Sequence, residues 1–240
     1  MNGRGVDGLF VTGTDTGIGK THAGVGLLGA LNERGCRTVA MKPVASGARR
    51  TASGLRNDDA LALQAAATVA AEYEEINPYC FEPPIAPHVA AQRAGVTIDL
   101  AHIVCLAHAL RARADFVLVE GVGGWRVPLG ARLEVGDLAR GLGLPVLLVV
   151  GLRLGCINHA LLAAAAISRE GPGLLGWVAN AIDPCYGTTA ETVQALTERL
   201  GMPPMATLGW QHEPGSSPAT APWRTAVGHL VAGQKLPPVR

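Results

Sequence analysis

The 240-residue sequence contains no long cationic stretch and almost no net charge. Its formal charge is +1 at pH 7, and charged residues make up 16% of the chain. A domain that binds nucleic acid needs a clustered basic surface, and this sequence lacks the electrostatic pattern of one. We therefore expect small molecules or proteins as partners, and no nucleic acid.

Long apolar runs are also missing. The most apolar internal stretch, LPVLLVVGL (144–152), is too short to span a bilayer, and the first residues, MNGRGVDG, lack the apolar segment of a signal peptide. These features predict a cytoplasmic protein with no membrane partner. The five cysteines are odd in number and form no CxxC pair, so we expect free thiols rather than disulfides or a zinc site.

What the sequence does contain is an alternation of short apolar runs with segments of helical period. The apolar runs are 8–13, 37–42, 115–120, 144–151, 174–180 and 204–209. The helical segments are 19–34, 58–72, 98–114, 155–170 and 187–200. Runs that are apolar on both faces are typical of buried parallel strands. The alternation predicts an α/β fold: a doubly wound, mostly parallel sheet with helices on both faces and ligands at the carboxyl ends of the strands.

No internal repeat or linker divides the chain, so we interpret residues 1–240 as a single domain. Two long loops, 46–58 and 77–88, interrupt the alternation, and loops of this length are often functional. The stretch QHEPGSSPATAPW (211–223) is predicted to be a surface loop, and it begins a loop-rich C-terminal extension at 211–240.

The motif VTGTDTGIGKT (11–21) joins the first predicted strand to the first predicted helix. Bare glycine amides at a helix N-terminus can bind phosphate oxygens, while Lys20 supplies charge and Thr21 a hydroxyl for Mg²⁺. Thr14 stands where the standard phosphate-binding loop has glycine, so this loop is a variant. The pattern predicts nucleotide binding and a P-loop NTPase-like fold.

Charged residues beside three other predicted elements are candidates for the same site. Glu120 ends the apolar run 115–120, and Lys42 ends the run 37–42. Either residue could instead be an ordinary solvated strand end. Asp58 and Asp59 open a predicted helix, and their position alone favours helix capping over metal binding.

With these residues in place, the sequence resembles the dethiobiotin synthetase family, enzymes that use ATP and CO₂ to close a ureido ring on 7,8-diaminononanoate. The matching segments are VTGTDTGIGKT (11–21), MKPVASG (41–47), GLRNDDALAL (54–63), NPYCFEPPIAPH (77–88), LVEGVGGW (118–125), LPVLLVVGLRLGCINHALL (144–162) and GWVAN (176–180). They cover roughly the first 180 residues in order and are more specific than a generic phosphate loop.

The resemblance implies roles for individual residues. The Mg²⁺ ligands would be Thr21, Asp59 and Glu120, which replaces the capping interpretation of Asp59. The nucleotide-binding residues would be Thr16, Gly17, Ile18, Gly19, Lys20, Thr21 and Asn180. The substrate-binding residues would be Lys42, Ser46, Gly123 and Asn158. Lys20 and Lys42 would be catalytic, ATP would be the co-substrate, and CO₂ and the diamine would be the other substrates.

The resemblance also implies a homodimer in which Asn158, within GCINHA (155–160), contacts the substrate bound to the other subunit. The sequence departs from the family pattern at two places. Gly17 stands where some relatives have an acid, and Thr192 stands where the family has an aromatic substrate contact; neither Thr192 nor nearby Tyr186 is assigned that role. The base-binding loop is expected around 205–213.

Two other functions share this kind of phosphate loop. An amide-forming synthetase of the cobyrinate type should carry a glutaminase portion, for which nothing after residue 200 has the length or a nucleophile motif. A partner-regulated ATPase switch usually carries a second lysine early in the loop, whereas this loop has only Lys20.

Overall fold

The computed structural model describes residues 6–210 and 218–232. The strands are β1 (Gly8–Gly13), β2 (Thr38–Met41), β3 (Val44–Ser46), β4 (Arg49–Thr51), β5 (Gly54–Arg56), β6 (Tyr79–Phe81), β7 (Phe116–Gly124), β8 (Val146–Leu152), β9 (Leu174–Ala181) and β10 (Ala206–Leu208). The α-helices are α1 (Lys20–Asn32), α2 (Asp58–Ala66), α3 (Tyr73–Ile76), α4 (Pro87–Arg93), α5 (Leu100–Arg111), α6 (Val135–Leu142), α7 (Cys156–Glu170), α8 (Thr189–Leu200) and α9 (Arg224–Ala232).

Six strands form one parallel sheet in the order β2-β7-β1-β8-β9-β10. Strand β1 lies at its centre, with Phe10 opposite Val119 of β7 and Val146 of β8. Since the strands are parallel, their carboxyl ends meet at one edge, where α/β sheets bind ligands. All six predicted strands are present, and the predicted fold class is confirmed.

The sheet is buried on both faces because successive side chains of a strand point to opposite sides. In β1, Phe10 packs with residues of α5, α6, α7 and α8, whereas Leu9 and Val11 pack on the other face with residues of α1, α2 and α9. All three side chains are fully buried. This two-sided burial explains why the strands read as continuous apolar runs.

The structure corrects several predicted boundaries. The helix predicted at 58–72 ends at Ala66, because Ala67 has an extended backbone with ψ of 151°. Strand β7 continues past its predicted end at residue 120, so Glu120 lies within the strand rather than at its end. The pairing of β1 with β7 is irregular just beyond Glu120. It resumes where Gly13 lies opposite Gly124. The predicted loop 46–58 contains the antiparallel hairpin of β4 and β5.

Helices α3, α4, α6 and α9 were not predicted. Helix α6 is short, but it begins with a capping box in which Glu134 and Asp137 each bond the other's backbone N–H. Such a capping box marks the start of a helix in a sequence. Here its third helical residue is Asp137, where Glu or Gln is more common. Among the described residues, no helix is long and apolar enough to cross a bilayer.

The C-terminal segment contributes to the core, contrary to the prediction of a surface loop up to residue 223. Residues 211–217 and 233–240 lie outside the described part. A 3₁₀ turn (Ala221–Trp223) buries Trp223 completely, and its indole lies against Gly26 of α1. Further along, the Leu230 carbonyl accepts a hydrogen bond from the Val6 N–H at 3.1 Å. Helix α9 therefore packs behind the helix that follows the phosphate loop.

Replacing Trp223 by alanine is expected to reduce the free energy of unfolding by about 3–5 kcal/mol, the usual cost of emptying a buried tryptophan site. Urea unfolding of both proteins measures this difference. Trp223→Phe should cost less, because it retains most of the buried ring and removes an indole N–H that has no hydrogen-bond partner among the described residues. A loss below about 1 kcal/mol in Trp223→Ala would show that the C-terminal segment is not part of the cooperative core.

Candidate active site

The phosphate loop runs between the end of β1 and the first residue of α1. Gly17 and Gly19 have φ of 72° and 83°, in the left-handed region that favours glycine. Gly19 is the N-cap of α1 and has no side chain to occupy the space at the helix terminus. The loop thus presents backbone amides at a helix N-terminus, the arrangement that binds phosphate.

Lys20, the first residue of α1, turns its side chain back into the loop. Its Nζ donates a hydrogen bond to the Asp15 carbonyl at 2.8 Å, and the residue is buried. Burial lowers the pKa of Lys20 to about 8, and repulsion from Lys42 acts in the same direction. The Lys20 ammonium therefore lies beside the backbone amides of the loop, where its positive charge favours an anionic ligand.

Lys42 and Glu120 form a buried ion pair at the carboxyl edge of the sheet. The Lys42 Nζ donates to Glu120 Oε1, to Asp59 Oδ2 at 3.4 Å and to the Gly121 carbonyl at 3.2 Å. The Thr21 hydroxyl donates to Glu120 Oε1 at 3.0 Å. The structure thus brings together one residue after β2, one within β7, one on α1 and one on α2.

The charge of Lys42 is maintained by its neighbours. Burial acts to lower the pKa of Lys42, but the attraction of Glu120 and Asp59 outweighs that effect, and the pKa is raised. Two carboxylates and a carbonyl thus favour the charged form of this buried ammonium.

The oxygen atoms around Lys42 have the chemistry of a Mg²⁺ site. Glu120 is fully buried, and no described residue forms a hydrogen bond with its Oε2, while the Asp59 side chain is 51% exposed. Within the described ranges, no three histidine, cysteine or acidic side chains are grouped so that they could hold a metal ion. The Thr21 hydroxyl and the carboxylates of Asp59 and Glu120 are oxygen donors of the kind that Mg²⁺ prefers. Its other ligands usually come from phosphate and water.

Asn180, near the end of β9, forms a hydrogen bond with the phosphate loop. Its Nδ2 donates to the Ile18 carbonyl at 2.8 Å, which orients a loop residue whose own side chain is in the core. Asn180 also lines a cavity of about 300 Å³ together with Gly17, His22 and Trp210. Trp210 was missed by sequence reasoning, although it falls in the predicted base-binding loop 205–213, of which residues 211–213 lie outside the described part.

A second cavity, of about 460 Å³, brings together Thr16, Ser46 and Gly123. Apolar residues supply much of its wall. They are Pro84, Ile85, Ala86, Pro87, Val122, Val127 and Pro128. The loop at 77–88 therefore contributes to a pocket beside the phosphate loop, with a few polar groups on an apolar lining.

Gly123 lines this cavity, and its backbone has a left-handed conformation that favours glycine. Its φ is 61°, and an added Cβ would lie 2.8 Å from Val127 Cγ2 and 3.4 Å from Thr16 Oγ1. Gly123→Ala is expected to raise KM for the expected diamine substrate by about tenfold and to change KM for ATP less, because the added methyl group would push against Val127, which lines this cavity. The matched control is Gly143→Ala, which has φ of 63° and open space around the added Cβ. If both variants give the same KM values, Gly123 has no part in substrate binding.

The remaining predicted contacts lie elsewhere. Asn158 is exposed in the first turn of α7, away from the two cavities described above. Leu154 and Leu162, on the same segment, are 90% and 64% exposed. Tyr186 and the buried Thr192 share a hydrogen bond at 2.8 Å between their hydroxyl oxygens.

This chain is similar to one family model and to several known enzymes. The model of the "AAA domain" family matches residues 7–216. The ATP-dependent dethiobiotin synthetase of Pseudomonas paraeruginosa is 57% identical over 196 residues, which are 81% of this chain and 86% of the relative. The chain belongs to the dethiobiotin synthetase family. The family member of Xanthomonas oryzae is 52% identical over 203 residues, 85% of this chain and 91% of the relative.

Solved structures of low sequence identity share the fold of this family member. The MinC:MinD cell division complex of Aquifex aeolicus contains a chain with a TM-score of 0.62 and 15% identity, covering 98% of this chain and 99% of that one. A ParA family ATPase from Chlorobium tepidum has a TM-score of 0.56 and 13% identity, covering 94% and 100%. At such identity the likeness extends to the fold alone.

Proposed function

We propose that this chain is a Mg²⁺-dependent dethiobiotin synthase, which joins CO₂ to 7,8-diaminononanoate and closes a ureido ring at the expense of ATP. The observation that carries this proposal is the convergence of Lys20, Thr21, Lys42, Asp59 and Glu120 at one edge of the sheet. The cavity lined by Ser46 and Gly123 gives the diamine a place beside them. The curated relatives are ATP-dependent dethiobiotin synthetases.

The reaction needs no nucleophile from the protein. One amine of the diamine adds to CO₂ and loses a proton, which gives a carbamate. A carbamate oxygen attacks the γ-phosphate, and ADP leaves, which gives a carbamic–phosphoric anhydride. The second amine attacks the carbonyl carbon, loses a proton and expels phosphate. The product is dethiobiotin, and the protein contributes position, charge and exclusion of water.

Lys20 and Lys42 neutralise the charge that develops on the transferred phosphoryl group. Both ammonium groups are buried, where electrostatic stabilisation is stronger than in water. Thr21, Asp59 and Glu120 would hold Mg²⁺, which supplies further positive charge to the phosphates. Their fixed positions on three separate elements keep the charges in place before substrates bind.

The other residues bind and orient the substrates. The amides of residues 16–21 hold the phosphates, and Asn180 recognises the adenine edge. Ser46 and the Gly123 backbone contact the diamine. Asn158 contacts the substrate of the other subunit in a homodimer, for which the exposed Leu154 and Leu162 offer apolar surface. The reaction takes place in the cytoplasm, where ATP is available.

Phosphate release from Mg-ATP tests this function, with 7,8-diaminononanoate and bicarbonate each present or omitted. We expect release only when both are present, with one dethiobiotin detected by mass spectrometry for each phosphate. Release that ignores the diamine, or that responds to a macromolecular partner instead, would contradict the proposed reaction.

A further inference from the structure

Asp15, in the phosphate loop, makes three contacts that no sequence motif indicated. Its Oδ1 accepts a hydrogen bond from the Thr16 N–H at 2.7 Å, and its Oδ2 pairs with Arg153 Nη2 at 2.5 Å. Its backbone carbonyl accepts the Lys20 ammonium at 2.8 Å. One residue therefore connects the phosphate-binding lysine, the loop backbone and a separate segment of the chain.

Arg153 belongs to the segment between β8 and α7. Strand β8 is a direct neighbour of β1, with Val149 opposite Gly13. The Thr14 N–H continues this pairing one residue further by donating to the Val149 carbonyl at 3.0 Å. The phosphate loop and the Arg153 segment thus leave the sheet side by side at the same edge, and the ion pair joins them beyond it.

We propose that Arg153 is a positioning residue for ATP. By holding the Asp15 carboxylate, it fixes the Asp15 peptide, and the carbonyl of that peptide holds the Lys20 ammonium where the phosphates bind. This inference rests on the proposed role of Lys20 in binding ATP. Arg153 acts through Asp15, and it need not contact ATP or the diamine itself.

The Arg153–Asp15 ion pair is half exposed, so a role in placing Lys20 can be separated from a role in stability. The side chains of Arg153 and Asp15 are 45% and 46% exposed, so the pair contributes little to global stability. A small displacement of Lys20 nevertheless weakens both phosphate binding and transfer, because both depend on its exact placement. The expected signature is a kinetic effect with little change in thermal stability.

Steady-state kinetics, calorimetric ATP binding and thermal unfolding of four variants test the proposal. Arg153→Ala and Asp15→Asn should each lower kcat/KM for ATP by about threefold to fivefold, the upper range for a half-exposed charged contact. Arg153→Lys should recover most of this loss because it keeps the charge. The double variant Arg153→Ala with Asp15→Asn should be no worse than either single variant, since the two residues act as one unit.

Arg37→Ala is the matched control, because Arg37 forms an exposed ion pair with Asp115 at 2.9 Å beside the amino-terminal ends of β2 and β7. It should leave the kinetic constants unchanged. Equal kinetics for Arg153→Ala and Arg37→Ala would overturn the inference, and so would additive losses in the double variant. Failure of the unmodified chain to bind ATP would instead overturn the proposed function, and this inference with it.

Discussion

Lys42→Ala is expected to lower kcat by about 100-fold to 1,000-fold while the dissociation constant of ATP changes by less than about fivefold. Lys42 contacts both acidic residues of the site and is one of the two buried lysines that face the transferred phosphoryl group in the proposed mechanism. Its charge matters most when negative charge spreads over the phosphoryl oxygens, so its loss raises the barrier more than it weakens binding. Single-turnover kinetics with separate calorimetric measurement of ATP binding distinguish the two effects.

The substitution also leaves Glu120 buried without its cation. Breaking a buried pair by removing one partner costs about 3–5 kcal/mol in stability, so folding must be checked by thermal unfolding. Lys42→Arg keeps the charge and serves as the companion variant: it should unfold near the original temperature and still lose activity, because a planar guanidinium cannot reproduce the ammonium contacts. Near-normal turnover of a folded Lys42→Ala protein at saturating substrate would remove Lys42 from the catalytic set.

Glu120→Gln is expected to raise the Mg²⁺ concentration needed for half-maximal activity by about tenfold to 100-fold. Losses of that size are typical even when the mutated residue only supports a metal ligand. Glu120 is completely buried, and its Oε2 has no hydrogen-bond partner in the part of the chain that the structure describes. Asp59→Asn should have a smaller effect, since the Asp59 side chain is half exposed and water can replace it. Titration of activity with Mg²⁺ at saturating ATP measures both shifts.

Asp58→Asn provides a control of the same type at the neighbouring position. Asp58 is exposed and pairs with Arg49 at 3.0 Å, whereas its neighbour Asp59 pairs with Lys42. Its magnesium titration should match that of the unmodified enzyme. Unchanged titrations for both Glu120→Gln and Asp59→Asn would refute the assignment of these carboxylates as ligands.

The sheet was predictable because its strands are buried on both faces. Leu9, Phe10 and Val11 are all apolar for that reason, and a mostly buried, largely apolar pattern recurs in β2, β7, β8 and β9, whereas the edge strand β10 exposes its central residue. The short strands within 43–97 were not predictable, because they are three residues long and pair only with each other. Nor did the pattern predict that Trp223 returns to pack on α1, because a lone tryptophan in a polar stretch has no periodicity.

The sequence predicts which residues form the candidate site better than it predicts which of them contact each other. Lys20 and Thr21 follow from the glycine-rich loop, and the family resemblance directed attention to Asp59 rather than to its neighbour. The contact of Lys42 with Glu120 depends on which strands are adjacent in the sheet, and chain order alone does not give that order. Arg153 was missed because its partner lies 138 positions away.

The central claim is that a carbamate oxygen attacks the γ-phosphate at the site formed by Lys20 and Lys42. The most direct measurement is mass spectrometry of the phosphate released from unlabelled ATP when the enzyme is supplied with the diamine and freshly dissolved bicarbonate labelled with oxygen-18. The account predicts one heavy oxygen in each phosphate and an equal amount of dethiobiotin. Phosphate that carries no heavy oxygen would show that water, rather than the carbamate, attacks the γ-phosphate, and would contradict the account.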